Sequence, residues 1–221
     1  FTNTATCTEL WAAPEILDPR LASRLGPSVD IFSLGCMIYF LFTKHHPFGN
    51  TSERKENILR GNHSNLKIEL PANFTLQNLV EKMISSEIII RPDVNTVLAH
   101  PLFWDSTRLI DFIAQMKLVI ADDSSKKDIL NRQLKRTLGS DWRDQLEEPV
   151  KTYFTTKSKT ERLSRVYSAN PSDLLFCIRN TYEHISEKPD YLKELLGHTR
   201  NDCQKYAAYW FTKFPALVSD L

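Results

Sequence analysis

The stretch SVDIFSLGCMIYFLFT, residues Ser28 to Thr43, decides the fold. Its apolar residues are nearly continuous, which is the pattern of a buried helix. The apolar part, from about Ile31 to Phe42, is interrupted by Ser33 and Gly35 and is too short to span a bilayer. Upstream, Pro14 to Leu17 starts a short helix with Pro in its first turn, and Leu21 to Pro27 reads as a connector with a Gly-Pro break. Downstream, His46-Pro47-Phe48-Gly49 is a turn. Helices are expected over Ser52 to Arg60, Leu76 to Ser86 and Val94 to His100, and Pro101 punctuates.

Beyond that point Leu109, Ile110, Ile113 and Leu118 recur at helical spacing within a helix over 105–120. Asp122 to Lys127 is charged and contains Ser, as in a loop. Further helices fit Ile129 to Leu138, Asp141 to Lys151, Asp173 to Ile185, Asp190 to Leu196 and Asp202 to Phe214. No strand-like alternation and no internal repeat is present. The expectation is an all-α chain in two parts, 1–104 and 105–221.

The chain has 221 residues, 42% hydrophobic and 25% charged, as in soluble globular proteins. A net charge of +1 leaves no global nucleic-acid footprint, so any RNA binding must be local. Cys7, Cys36, Cys177 and Cys203 lie far apart without a CxxC pair, which argues against zinc and a disulfide scaffold. Glycosylation-type triplets at Asn50, Asn62 and Asn73 are read as chance matches. No signal peptide opens the sequence, and it reads as a piece of a longer chain.

Several linked signals mark the first half. Trp11-Ala12-Ala13-Pro14-Glu15 resembles the Ala-Pro-Glu box that closes a protein-kinase activation segment. Asp30-Ile31-Phe32-Ser33-Leu34-Gly35-Cys36 is similar to the Asp-x-Trp-Ser-x-Gly stretch of the central helix of a kinase C-lobe. His46-Pro47-Phe48-Gly49 follows, then Ile90-Arg91-Pro92 and His100-Pro101-Leu102-Phe103-Trp104. In this order they resemble a kinase C-lobe. The resemblance implies that Glu15 pairs with Arg91 and that Asp30 holds the backbone of the catalytic loop. These are scaffold roles. No Gly-rich loop, strand Lys, His-Arg-Asp or Asp-Phe-Gly stands in these residues. Cys7-Thr8-Glu9-Leu10 departs from the Gly-Thr-x-Gly-like turn common in the family. Thr2, Thr4, Thr6 and Thr8 are either phosphosites or part of a polar loop.

The second half carries Asp141-Trp142-Arg143, Tyr167, Asp173-Leu174-Leu175, Arg179-Asn180-x-x-x-His184 and Tyr209-Trp210-Phe211-Thr212-Lys213-Phe214-Pro215. This order resembles the kinase-extension nuclease family, which includes the inositol-requiring stress sensor of the unfolded-protein response and ribonuclease L. The resemblance covers nearly the whole chain and leans toward the stress sensor, although Thr181 stands where that branch often has Lys. It implies a helical C-lobe fragment followed by a helical nuclease domain. It also implies an RNA substrate and assembly as a homodimer or higher oligomer. ATP or ADP with Mg would serve a full-length kinase domain, whereas RNA cleavage would need no cofactor. The place implied is the cytosolic face of the endoplasmic reticulum, held there by segments upstream, or the cytosol for a ribonuclease L-like chain.

The residues themselves carry the chemistry. Asn170-Pro171-Ser172-Asp173 is a good helix start. Leu174, Leu175, Ile178, Tyr182 and Ile185 then fall on one face, with Arg179, Asn180, Glu183 and His184 opposite. RNA cleavage without metal needs a base, an acid, donors for the phosphorane charge and in-line alignment. His184 is the expected general acid, because its unperturbed pKa lies near neutrality. Tyr167 is the base or a positioner, since a phenol with pKa about 10 is a poor base at pH 7. Arg179 offers a guanidinium fork to phosphate, Asn180 an amide for orientation or an oxyanion contact, and Glu183 is an ion-pair partner or solvated. Lys157, Lys159, Arg162 and Arg165 form a local basic run suited to an RNA backbone. No His/Cys/Asp cluster at metal-ligand spacing lies nearby.

Overall fold

The computed structural model describes residues 9–64, 66, 70, 74–156 and 165–218. Among them there is no β-strand. The chain divides into two compact units, Phe1–Phe103 and Trp104–Leu221.

The first unit contains α1 (Pro14–Leu17), α2 (Ser28–Thr43), α3 (Thr51–Arg60), α4 (Phe74–Met83) and α5 (Val94–Ala99). Helix α2 lies against α4. Gly35 makes this approach possible, since a Cβ there would stand 2.7 Å from Met83 Cβ and 2.8 Å from Ile84 Cγ2. Phe32, Cys36 and Tyr39 are buried on this side with Phe48, Ile58 and Val80. The expectation of a wholly buried α2 is corrected, because Leu34, Met37, Leu41 and Phe42 are exposed. An all-apolar sequence does not reveal which face meets a neighbour, and here packing covers one stripe. The expected connector over 21–27 begins as a 3-10 turn, Pro19–Arg24. The turn at 46–49 closes with Gly49 N donating to His46 O at 3.0 Å, and Gly49 takes the positive φ of 82° that suits glycine.

Glu15 and Arg91 are both buried and form a two-pronged ion pair at 2.6 and 3.0 Å. Arg91 also donates to Ser85 O at 2.7 Å and Ser28 O at 3.2 Å, and its guanidinium sits 4.9 Å from the Phe32 ring centre. The charge is therefore surrounded by acceptors and an aromatic face, which is what a buried guanidinium requires. Asp30 is exposed in the first turn of α2. It stands on the wall of an open groove with Trp11 and Met37.

The second unit contains α6 (Ser106–Ala121), α7 (Ser124–Leu138), α8 (Glu148–Thr155), α9 (Pro171–Glu183), α10 (Asp190–Leu196) and α11 (Cys203–Lys213). Asp105 caps α6 by accepting from Arg108 N at 2.8 Å. Asp123 caps α7 by accepting from Ser125 N and Lys126 N. The loop expected over Asp122 to Lys127 is thus corrected: most of it is the solvated first turn of a helix. The single helix expected over Asp141 to Lys151 is corrected as well. A 3-10 turn spans Trp142–Gln145, Leu146 and Glu147 are extended, and α8 starts with Pro149 in its first turn. Proline lacks the N–H that a helix interior needs, so it opens a new helix instead of continuing the old one.

Helix α9 packs on α6 and α7, and α11 on α6 and α10. Trp142, Phe154, Leu174, Ile178, Tyr206 and Trp210 are among the buried residues of this core. A helix enclosed by two others has one end left to meet solvent, and the site lies at that C-terminal end.

Candidate active site

Helix α9 is less amphipathic than its sequence implies. Ser172, Asp173, Cys177 and Thr181 are buried along with Leu174, Leu175 and Ile178. Tyr182 is half-buried and donates its hydroxyl to Arg200 O at 2.9 Å. Asn170 occupies the N-cap without a side-chain bond. Asn131 of α7 replaces it, accepting from Ser172 N at 2.8 Å. The helix stops at Glu183, two residues before the expected end, and His184 leaves it with φ −115° and ψ 26°. A 3-10 turn, Ile185–Glu187, follows. This change of helix type brings Glu187 back beside His184, and Oε1 lies 3.0 Å from Nδ1.

The segment carrying Tyr167 is held from several directions. Tyr167 N donates to Phe154 O at 3.0 Å. Arg143 Nη1 donates to Tyr167 O at 3.1 Å, and Trp142 Nε1 donates to Ser168 O at 3.0 Å. Asp141 fixes the Arg143 fork at 2.8 and 2.6 Å. Asp173 accepts from Ser168 N at 2.7 Å and from Arg165 Nη2 at 3.0 Å. The Asp-Trp-Arg motif is therefore a latch on the Tyr167 backbone. The ring of Tyr167 meets Phe154 edge-on, with centroids 5.9 Å apart.

Tyr167, Asn180 and His184 share one cleft of about 220 Å³, whose walls include Tyr153, Glu187 and Lys188. Asn180 Nδ2 donates to Tyr167 Oη at 3.3 Å, and Arg179 Nη1 donates to Asn180 Oδ1 at 3.2 Å. Arg179 thus supports Asn180 through that contact. Arg165 is on the wall, paired with Asp173 and stacked 4.6 Å from the Phe176 centroid. Glu183 pairs with Arg200 at 3.2 Å. Lys157, Lys159 and Arg162 lie outside the described residues.

Residues 2–103 match the protein kinase domain family model, and residues 115–221 match the ribonuclease 2-5A model. The two units belong to these families. An Arabidopsis thaliana protein named inactive serine/threonine-protein kinase/endoribonuclease IRE1-like is 29% identical over 235 residues, covering 100% of this chain and 42% of that protein. The Caenorhabditis elegans serine/threonine-protein kinase/endoribonuclease ire-1 is 28% identical over 96% of this chain and 21% of its own length. The Schizosaccharomyces pombe protein named sensor for unfolded proteins in the ER ire1 is 26% identical over 94% of this chain and 21% of its own length. The chain thus spans between about a fifth and two fifths of these curated relatives.

Within this protein kinase and ribonuclease 2-5A frame, the electrostatics of the cleft are specific. Burial pushes the Tyr167 phenol up to about 12, so it keeps its proton throughout the neutral range. The bond from His184 holds the Glu187 carboxyl below its usual range. A carboxylate only accepts, so Nδ1 of His184 carries a proton and Nε2 remains to exchange one with a ligand. Among the described residues no group of three His, Cys, Asp or Glu side chains is placed to hold a metal ion. Protein kinase homology implies ATP and Mg, but the 221 residues contain none of the elements that would cradle them.

Sequence reasoning missed Tyr153, Glu187 and Lys188. A helical wheel continued past Glu183 sets Glu187 and Lys188, three and four residues after His184, on the His184 face. An acid three residues after the candidate His was the available signal for Glu187.

Proposed function

We propose that the second unit is an endoribonuclease that cleaves RNA by attack of a 2′-hydroxyl on the adjacent phosphodiester. The observation carrying this reading is one cleft that presents Tyr167, Asn180 and His184 together, with Glu187 behind the imidazole. The 2′-oxygen bonds to phosphorus and the bond from phosphorus to the 5′-oxygen breaks. His184 Nε2 gives its proton to the departing 5′-oxygen, leaving a 2′,3′-cyclic phosphate and a 5′-hydroxyl. Tyr167 is protonated at working pH, so it acts as a donor and positioner. The 2′-hydroxyl proton passes to solvent, which reaches the half-exposed imidazole. Asn180 fixes the phenol oxygen, and Arg179 fixes Asn180.

No step needs a metal ion in this scheme, so cleavage persists in excess EDTA. The first unit, a protein kinase C-lobe, serves as the base on which nuclease units assemble as homodimers. The sensor relative's name supports action at the endoplasmic reticulum. Among the described residues no helix is long and apolar enough to cross a membrane, so attachment would fall to other segments of a longer chain.

Incubating the chain at high concentration with an RNA stem-loop tests the reading. Cleavage rises more than linearly with protein concentration, and His184→Ala lowers it by about 10²–10⁴-fold without unfolding the chain. Equal cleavage by the variant rules out His184 as the acid. A second reading, an interaction module that binds without cutting, draws on the word inactive in the name of the Arabidopsis relative. RNA binding without any cleavage by the wild-type chain would select it.

A further inference from the structure

We propose that Lys188 is a phosphate-binding cation of the cleft, engaging the non-bridging oxygens of the scissile phosphodiester. This rests on the endoribonuclease reading of the same site and adds a residue that reading does not contain.

The argument begins with charge. A phosphodiester carries one negative charge, and more gathers on its oxygens as the 2′-oxygen attacks, so the cleft must present positive charge. Arg179 suits that task by chemistry, and one of its donors, Nη1, is engaged by Asn180 Oδ1 at 3.2 Å. Arg165 is on the wall, but Asp173 neutralises it at 3.0 Å. His184 is matched by Glu187 at 3.0 Å. Among the described residues Lys188 is the remaining cation on the wall, and it makes no salt bridge there.

Its placement fits the task. Lys188 follows directly on the turn that carries His184 and Glu187, and its backbone N–H closes that turn by donating to Ile185 O at 3.1 Å. Acid and cation therefore ride on one rigid hook. The ammonium lies 5.6 Å from the centre of the Tyr153 ring. An aromatic face can hold a cation there without removing its three N–H donors from use. A phosphate entering beside His184 would meet both groups.

The test compares the wild-type chain, Lys188→Ala and Lys188→Arg. Cleavage of an RNA stem-loop is followed, together with binding of the same RNA carrying a 2′-deoxy sugar at the cut site, each across a salt series. Lys188→Ala loses about 10–100-fold in cleavage, the scale of one charged hydrogen bond. Its binding depends on salt with a slope smaller by about one ion, as expected when one phosphate contact is removed. Lys188→Arg keeps most of both. A Lys188→Ala chain with unchanged salt slope overturns the proposal, whether its cleavage is intact or has fallen for structural reasons. A wild-type chain that neither binds nor cuts the RNA overturns the nuclease reading itself and the Lys188 role with it.

Discussion

Asn180 donates its side-chain amide to the Tyr167 hydroxyl across 3.3 Å, and the acceptor end of the same amide is held by Arg179 at 3.2 Å. The phenol oxygen is therefore fixed as an acceptor on one side, and its own proton is free to point into the cleft. The three polar residues that sequence spacing placed on one helix face and before it form a chain of contacts, Arg179 to Asn180 to Tyr167.

Tyr167→Phe isolates that hydroxyl. The ring stays packed on Phe154, while Asn180 loses its acceptor. Cleavage should fall about 10–100-fold, the size of losing one positioned donor. The pH dependence carries a second readout. The phenol titrates near 12 when folded and near 10 when exposed. Its neutral form therefore stabilises the fold fully below about pH 10, and that contribution is lost as pH rises toward 12. Urea unfolding of Tyr167→Phe should decline less steeply than wild type across this window. Equal slopes would place the phenol outside the core.

Arg143→Ala should loosen the Tyr167 segment. It removes the donor to Tyr167 O and leaves Asp141 without its fork partner. The expected loss is about 1–3 kcal/mol in chemical denaturation, with a fall in kcat for RNA cleavage larger than any change in KM. Arg143→Lys cannot reproduce the fork and should recover little. Full activity in Arg143→Ala would mean that Trp142, Phe154 and Asp173 suffice to hold the segment.

In the first unit, Arg91→Ala strands the buried Glu15 carboxylate. Breaking one side of such a pair costs about 3–5 kcal/mol. Thermal unfolding should show this loss in the transition of the first unit, and Glu15→Gln should also destabilise it, because the buried guanidinium is then left with carbonyl acceptors but no counter-charge. A near-neutral Arg91→Ala would show that water replaces the guanidinium.

Acid should destabilise the first unit before ordinary carboxylates titrate. Burial pushes both His46 and His100 down to about 4 from an ordinary value of 6.5. The unfolded chain takes up these protons as pH falls below 6.5 while the folded chain does not. Stability from the neutral rings is thus full above about 6.5 and is lost as pH falls toward 4. Each ring accepts a backbone N–H at Nδ1, from Phe48 and Leu102 respectively. Asn can offer an acceptor in the same place without titrating. The double variant His46→Asn, His100→Asn should therefore show a flatter stability profile from pH 6.5 to 4 by urea titration. An unchanged profile would assign the acid sensitivity to other groups.

Much of this protein is written locally. Helix α2 has the expected bounds, Ser28 to Thr43, because a continuous apolar run with few breakers has no competing structure. Helix α10 runs from Asp190 to Leu196 as expected, set off by Pro189 before it and Gly197 after it. The order of the kinase-like and nuclease-like motifs, short signals at fixed spacing, likewise pointed to two families.

What the sequence left undecided depends on partners far along the chain. The Asp122 to Lys127 stretch looks like a loop by composition, yet Asp123 caps a helix whose apolar residues find α6 and α9. Asn170 looks like a cap, but Asn131, 39 residues upstream, does the capping. Arg179 looks like a phosphate ligand on a wheel diagram, and only the fold shows that its guanidinium also meets Asn180 Oδ1, at 3.2 Å. His184 and Lys188 line one cleft across the junction where α9 ends and a 3-10 turn begins. Propensity and periodicity act over a few residues. The direction of a side chain at a helix end is fixed by whatever packs around it, and that is a property of the folded chain.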